Sequence, residues 1–221
     1  MLRLYHFLLC PFSRQVRIVL KEKAIPFELA VENYWERRPE FASLNPAMEV
    51  PVLVGDSLVL ADTTAILEYL EETSDNNMFL PSSPLERAEI RRLVGWFNNK
   101  FYQEVTRYIL AERVIRYFTR IGEPNSDSIR AAKANIYYHL DYIAFLTRQR
   151  KWLAGEQLSL ADIAAASQLS VLDYLGDVPW EYNPAVKEWY ALIKSRPSFR
   201  PLLSDRISGF VPSQHYTDLD F

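Results

Sequence analysis

The only cysteine of this 221-residue chain lies in Leu9-Cys10-Pro11-Phe12-Ser13-Arg14, directly after the apolar run Leu2-Arg3-Leu4-Tyr5-His6-Phe7. A thiol and a hydroxyl three residues apart, where a strand gives way to a helix, are suited to thiol chemistry. The unpaired N–H groups and positive dipole end of a helix stabilise a thiolate held there. Cys10 reads either as that nucleophile or as a small buried hydrophobe, and Ser13 either as a hydroxyl donor or as a helix cap. Asp62-Thr63 opens a later helix and caps it whether or not anything binds. The three histidines, His6, His139 and His215, stand far apart without Cys/His ligand spacing, so no metal site is expected.

The bulk numbers bound the class. Apolar residues make up 49% and aromatics 14%, ample for a core and contrary to disorder. A net charge of −3 gives no electrostatic reason to expect nucleic acid. A single cysteine excludes an internal disulfide framework and suits a reducing compartment. No apolar run approaches the ~20 residues of a membrane helix, and the N-terminus lacks the features of a signal peptide. The expectation is a cytoplasmic protein without membrane insertion.

Strand and helix signals alternate at first. Residues 2–7 and 27–31 read as strands around a helix at 13–22, whose apolar face is Val16, Val19 and Leu20. A short helix at 39–44 precedes two strands, 50–54 and 57–60, joined at Gly55-Asp56. The helix at 65–72 carries Ile66, Leu67 and Leu70 as its stripe. After a breaker-rich segment everything is helical in period: a long helix from Pro84 towards Ile121, a helix capped by Ser126 reaching about Arg150, an apolar helix to Leu175, and another over 184–194. Ser159-Leu160-Ala161-Asp162 resembles a capping box with aspartate in place of glutamate.

An α/β unit followed by an all-helical one, with the Cys/Ser turn, Asn45-Pro46…Val50-Pro51, Asp62-Thr63 and the Ser159–Asp162 cap in register, resembles the glutathione transferase superfamily from end to end. The resemblance implies a thioredoxin-like N-terminal domain over 1–75, a linker at 76–83, an all-α C-terminal domain over 84–207 and a tail at 208–221. It implies a cis bond before Pro51, the Val50 backbone paired with the cysteinyl part of glutathione, and Asp62-Thr63 at its γ-glutamyl carboxylate. Ser13 or Cys10 would face the sulfur. A serine would hydrogen-bond the thiolate, whereas Cys10, in a Cys-Pro-Phe similar to that of omega-type members, would form a mixed disulfide. Thr63 replaces the usual serine. Glu49 stands where many members carry lysine or a neutral residue, which weakens the site if its carboxylate points inward. Glutathione is thus a possible substrate or ligand, with no cofactor assigned.

Other features exceed what a transferase needs. Residues 215–221, His215-Tyr216-Thr217-Asp218-Leu219-Asp220-Phe221, interleave aromatic and apolar groups with acids and would dock on a partner or on the chain's own helices. Trp35 sits among charges in Trp35-Glu36-Arg37-Arg38-Pro39-Glu40-Phe41, as an interface residue or as a cap on the α/β core. Arg113, Arg116 and Arg120 share a helical face, either solvated or open to an acidic partner. With Leu44-Asn45-Pro46-Ala47 and Glu104-Val105-Thr106, these stretches resemble one branch of the superfamily, the FtsZ-localised, transferase-like division proteins of alphaproteobacteria. That branch implies a homodimer at the division site that binds FtsZ filaments or other division proteins. It implies no established need for glutathione.

Overall fold

In the computed structural model, residues 1–74 and 78–219 are described. The chain divides into two compact units, Met1–Asn77 and Met78–Phe221.

The first unit is a four-stranded sheet of order β2-β1-β3-β4, built from β1 (Leu2–His6), β2 (Phe27–Val31), β3 (Val52–Val54) and β4 (Val59–Ala61). β1 pairs parallel with β2, and β3 antiparallel with both β1 and β4. Helices α1 (Pro11–Glu22), α2 (Pro39–Leu44) and α3 (Thr63–Glu72) complete it. β3 begins two residues later than the hydrophobic run suggests, since Pro51 has no N–H to give a ladder. Helix α1 begins two residues earlier than expected, because Pro11 takes the first helical position and Cys10 becomes the cap. The expected one-sided stripe on α1 is an underestimate. Arg14, Gln15 and Arg17 are buried along with Val16, Val19 and Leu20, and the Arg14 Nε–H donates to the Leu8 carbonyl at 2.8 Å. Lys23 and Glu71, both buried, pair at 2.6 Å and join the C-terminal ends of α1 and α3.

In the second unit, α4 (Pro84–Gly95) continues as helical backbone through a wide-turned π segment, Trp96–Thr106, then α5 (Arg107–Ile109), a second π segment, Leu110–Ile115, and α6 (Arg116–Thr119). The Arg107 N–H reaches the Tyr102 carbonyl five residues back, the signature of a π turn. Arg120, at φ 55°, stops the helix where the sequence places its end. The next helix, α7 (Ser126–Thr147), is capped by Asn125 rather than Ser126. The Asn125 side-chain oxygen accepts from the Asp127 and Ser128 N–H groups, both at 3.0 Å.

Helix α8 (Leu160–Leu175) is buried along its whole length and carries the capping box read from the sequence. The Asp162 carboxylate accepts from the Ser159 N–H (3.0 Å) and hydroxyl (2.9 Å), the Leu153 N–H (2.8 Å) and the Trp189 indole (3.1 Å). Helices α9 (Pro184–Lys194) and α10 (Arg200–Leu203) follow. Among the described residues, no helix is long and apolar enough to cross a membrane.

Candidate functional site

The register of the sheet brings the thiol-chemistry residues together. Tyr5 lies opposite Val52 and Val52 opposite Ala61. The chain leaving β1 towards Cys10, the chain entering β3 through Val50 and the chain leaving β4 into Asp62-Thr63 therefore share one end of the sheet. Because His6 pairs with Val31 in parallel, the Trp35 segment after β2 comes to that same end.

Cys10 is the N-cap of α1, and its sulfur accepts from the Ser13 N–H at 3.5 Å. The thiol in turn donates to the Val50 carbonyl at 3.6 Å. Val50 precedes Pro51 across a cis peptide bond. The helix start was expected to favour a thiolate, but burial pushes the Cys10 thiol above its ordinary pKa and outweighs the lowering by Ser13. Ser13 does not cap its helix. It is fully buried, and its hydroxyl has no hydrogen-bond partner among the described residues. At the start of α3, Asp62 adopts φ 75° and accepts from the Ala65 N–H at 3.0 Å, while Thr63 is buried at the first helical position. A non-glycine residue at positive φ costs about 1 kcal/mol or more and draws attention to this turn. Glu49 is exposed, and its carbonyl accepts from the Asn45 side chain at 2.8 Å, which ties down the loop before Val50.

Trp35 stands on a closed loop. Its ring meets Phe7 edge-on at 5.0 Å and 89°, and Tyr34 packs against both. Arg38 grips the fully buried Glu32 carboxylate with two guanidinium nitrogens, and the Asn33 amide donates to Glu36 at 2.8 Å. Trp35 is half-buried, so it both covers Phe7 and retains an exposed edge. The Phe7 carbonyl accepts from the Cys10 N–H at 3.0 Å, which joins this loop to the thiol turn. Nothing in the sequence flagged Glu32, because a lone buried carboxylate has no periodic signature, and Asn45 entered only as part of the Asn45-Pro46 motif, without its bond to the Glu49 carbonyl.

The C-terminal stretch belongs to the second unit and is largely docked there. The Tyr216 ring is fully buried against Tyr174 at 5.0 Å, and its hydroxyl donates to the Leu202 carbonyl at 2.7 Å. Ser213 bonds the Asp173 and Tyr174 carbonyls, and the buried Lys194 donates to the His215 carbonyl. Phe210 packs on Tyr117 and Phe118. Tyr216, read as a partner contact, is thus an anchor in the chain's own core. His215 and Asp218 are exposed and Leu219 half-buried, whereas Asp220 and Phe221 lie outside the described residues.

The basic face on the long helix is also largely used internally. Arg113 pairs with Asp177, Arg116 bonds Glu112 and the Ile121 carbonyl at 2.7 Å, and among the described residues Arg120 carries no pairing of this kind.

A second polar network, absent from the sequence reading, crosses the helical unit. The Trp96 indole donates to His139 Nδ1 at 3.2 Å, which assigns the ring proton to Nε2 and lets it donate to Glu104 at 3.0 Å. Lys100 pairs with Glu104. Burial lowers the fully enclosed His139 to a pKa of about 4, against the raising effect of Glu104.

A thioredoxin-like sheet with its thiol turn and cis-proline, followed by an all-helical unit, defines a class. The family models for the glutathione S-transferase N-terminal domain and C-terminal domain match residues 9–73 and 110–197, and the chain belongs to the glutathione S-transferase family. It is 49% identical over 222 aligned residues to FtsZ-localized protein A of Caulobacter vibrioides, an alignment covering 99% of this chain and 97% of that one. The crystal structure of a glutathione S-transferase from Rhodospirillum rubrum superposes with a TM-score of 0.98 at 50% identity, covering all of both chains. FzlA from C. crescentus superposes with a TM-score of 0.96 at 48% identity, covering 100% of this chain and 99% of that one.

Proposed function

We propose that this protein is a homodimeric binding protein of cell division with a transferase fold, acting in the cytoplasm at the division site. It binds FtsZ filaments through the Trp35 loop and the exposed end of its C-terminal stretch. The likeness to FtsZ-localized protein A over nearly the whole chain is the observation that carries this reading. Two features support it. The Cys10 thiol is buried and already bonded to the Val50 carbonyl that a bound glutathione would use. The Trp35 loop, by contrast, is braced by the Arg38–Glu32 pair and the Phe7 ring and leaves Trp35 half-exposed, the composition and rigidity of an interface anchor. A two-fold dimer presents each surface twice, which suits avid binding to a polymer.

Co-sedimentation with GTP-assembled FtsZ tests the reading. The intact protein should pellet with filaments and Trp35→Ala should weaken this at least tenfold; an intact protein that stays in the supernatant overturns it. Deleting residues 218–221 leaves the Tyr216 anchor in place and separates a contact by the end of the chain from loss of folding.

A second reading, a glutathione transferase or thiol transferase, is favoured by one observation. The buried Ser13 hydroxyl lacks a partner beside a thiol, at the same end of the sheet as Val50, Asp62 and Thr63. Calorimetric titration with millimolar glutathione distinguishes it: no heat of binding rejects both enzyme forms. If glutathione binds, Ser13→Ala and Cys10→Ser assign the working group, since only a thiol transferase depends absolutely on Cys10.

A further inference from the structure

Strand β2 closes one side of the sheet and β4 the other. The two edges differ. β4 is three residues long, whereas β2 runs for five in unbroken register and holds neither proline nor lysine nor a bulge, the devices that commonly keep a free edge from pairing.

The register fixes which backbone groups of β2 are free. The Glu32 N–H donates to the His6 carbonyl at 2.8 Å, and His6 lies opposite Val31. Bonding groups alternate along a parallel pair, so Glu28 and Ala30 turn theirs towards β1, while Leu29 and Val31 turn their N–H and C=O groups outward. Among the described residues, no other strand or backbone group meets Leu29 or Val31 on that side. The same two residues carry exposed apolar side chains, Leu29 at 45% and Val31 at 58%. A free ladder and an apolar row thus coincide. Beside them the Glu28 carboxylate is paired with Arg3 at 3.1 Å, which leaves no lone charge there to repel an incoming strand.

Geometry decides what fits such an edge. Its outward donors and acceptors repeat every second residue, about 7 Å apart, a spacing that extended backbone matches and a helix does not. Apolar side chains at alternate positions of an added strand would lie beside Leu29 and Val31. The edge also leads straight into the Trp35 loop. Val31 is followed by Glu32, whose carboxylate holds Arg38, and the residue after His6 is Phe7, whose ring meets Trp35. A segment lying along β2 therefore continues onto the surface assigned to the filament.

We propose that β2 accepts an extended segment of FtsZ as a fifth strand, paired through Leu29 and Val31 and running on to the Trp35 loop. The proposal rests on the filament-binding reading given above and adds its mode of contact. Main-chain pairing supplies the affinity, and the apolar row selects which segment fits.

Co-sedimentation of the full-length protein with GTP-assembled FtsZ is the test, joined to hydrogen exchange read by mass spectrometry and to circular dichroism melting of each variant. Val31→Pro removes an N–H that gives nothing to β1, so the sheet survives while strand addition is blocked. Leu29→Lys guards the edge without touching the backbone. Each should weaken pelleting at least tenfold, whereas Val59→Lys, at an equally exposed apolar position on β4, should pellet like the parent. Exchange in the fragment covering 27–31 should slow when filaments are added. Edge variants that pellet like the parent, or exchange that filaments leave unchanged, overturn this contact while the filament-binding reading stands. Edge variants that instead lower the sedimenting mass of the protein alone assign the edge to a second copy and overturn it too. A parent that stays in the supernatant overturns both.

Discussion

The Cys10 sulfur lies 3.6 Å from the Val50 carbonyl oxygen and points the chain's single thiol into the fold. This contact turns a motif that reads as reactive into one that is chemically quiet. Nucleophilicity follows the thiolate fraction, and burial has moved the Cys10 pKa upward. Iodoacetamide at pH 8 should label the native protein at least ~100 times more slowly than the urea-unfolded chain. The same shift has a stability sign. A thiol whose folded pKa is raised contributes stability below its ordinary value of 9.0 and loses that contribution as pH rises through the folded pKa. Cys10→Ser should therefore flatten the alkaline limb of the unfolding free energy measured against pH.

His139 makes the opposite prediction on the acid side. Its folded pKa of about 4 lies below the ordinary 6.5, so between these values the unfolded chain takes up a proton that the native ring refuses. Stability from this group is complete above pH 6.5 and falls away as pH drops to 4, by about 3 kcal/mol at most. Urea titrations at pH 7, 6, 5 and 4 should show the parent losing more than His139→Gln by up to that amount. The comparison with the variant matters because the buried Asp162 and Asp173 are shifted upward and push the other way.

Asp162 should be the costliest polar substitution in the helical unit. Replacement by alanine leaves four donors, from Leu153, Ser159 and Trp189, without their acceptor inside a buried site. A loss of about 4 kcal/mol is expected, seen as a large drop in the denaturant midpoint. Ser159→Ala removes only the hydroxyl half of the box and should cost about 1 kcal/mol.

The C-terminal stretch should behave as core up to Tyr216. Gly209 sits at φ 84°, and a Cβ there would lie 2.3 Å from the Tyr117 hydroxyl oxygen. Gly209→Ala should therefore destabilise by about 1–3 kcal/mol, through strain and displacement of the Phe210 contact. Tyr216→Phe keeps the ring and loses one hydrogen bond, costing about 1 kcal/mol, whereas Tyr216→Ala empties a core position and should cost about 3–5 kcal/mol. Chemical denaturation of these three variants checks the order.

The architecture was legible in the sequence because it is written in local patterns. Ser159 and Asp162 announce their box, Pro184 and Lys194 bound their helix where the pattern places them, and the strand periods give the correct sheet elements. The site was legible only as composition. Cys10, Val50 and Asp62 were expected at one place and meet at one end of the sheet, but the direction of the thiol depends on a carbonyl forty residues away. No local pattern encodes burial, so the sequence left Cys10 open between a nucleophile and a small buried hydrophobe, and the structure buries it. Tyr216 stayed open between a partner contact and packing on the chain's own helices for the same reason. An aromatic among acids looks exposed until the hole beside Tyr174 that receives it is known. Arg113 and Arg116 likewise looked like a surface patch until Asp177 and Glu112 were found to pair with them.

The brace across residues 32–38 bears on how quickly a partner can engage. Glu32, Arg38 and Phe7 hold the Trp35 loop in one conformation before anything arrives. A partner that docks on that edge therefore meets a settled surface, and little ordering of the loop remains to be done on contact. Capture at this loop should run at the pace of collision and orientation rather than of loop folding. Loosening the brace by Arg38→Ala should slow association while leaving the Trp35 ring itself unchanged.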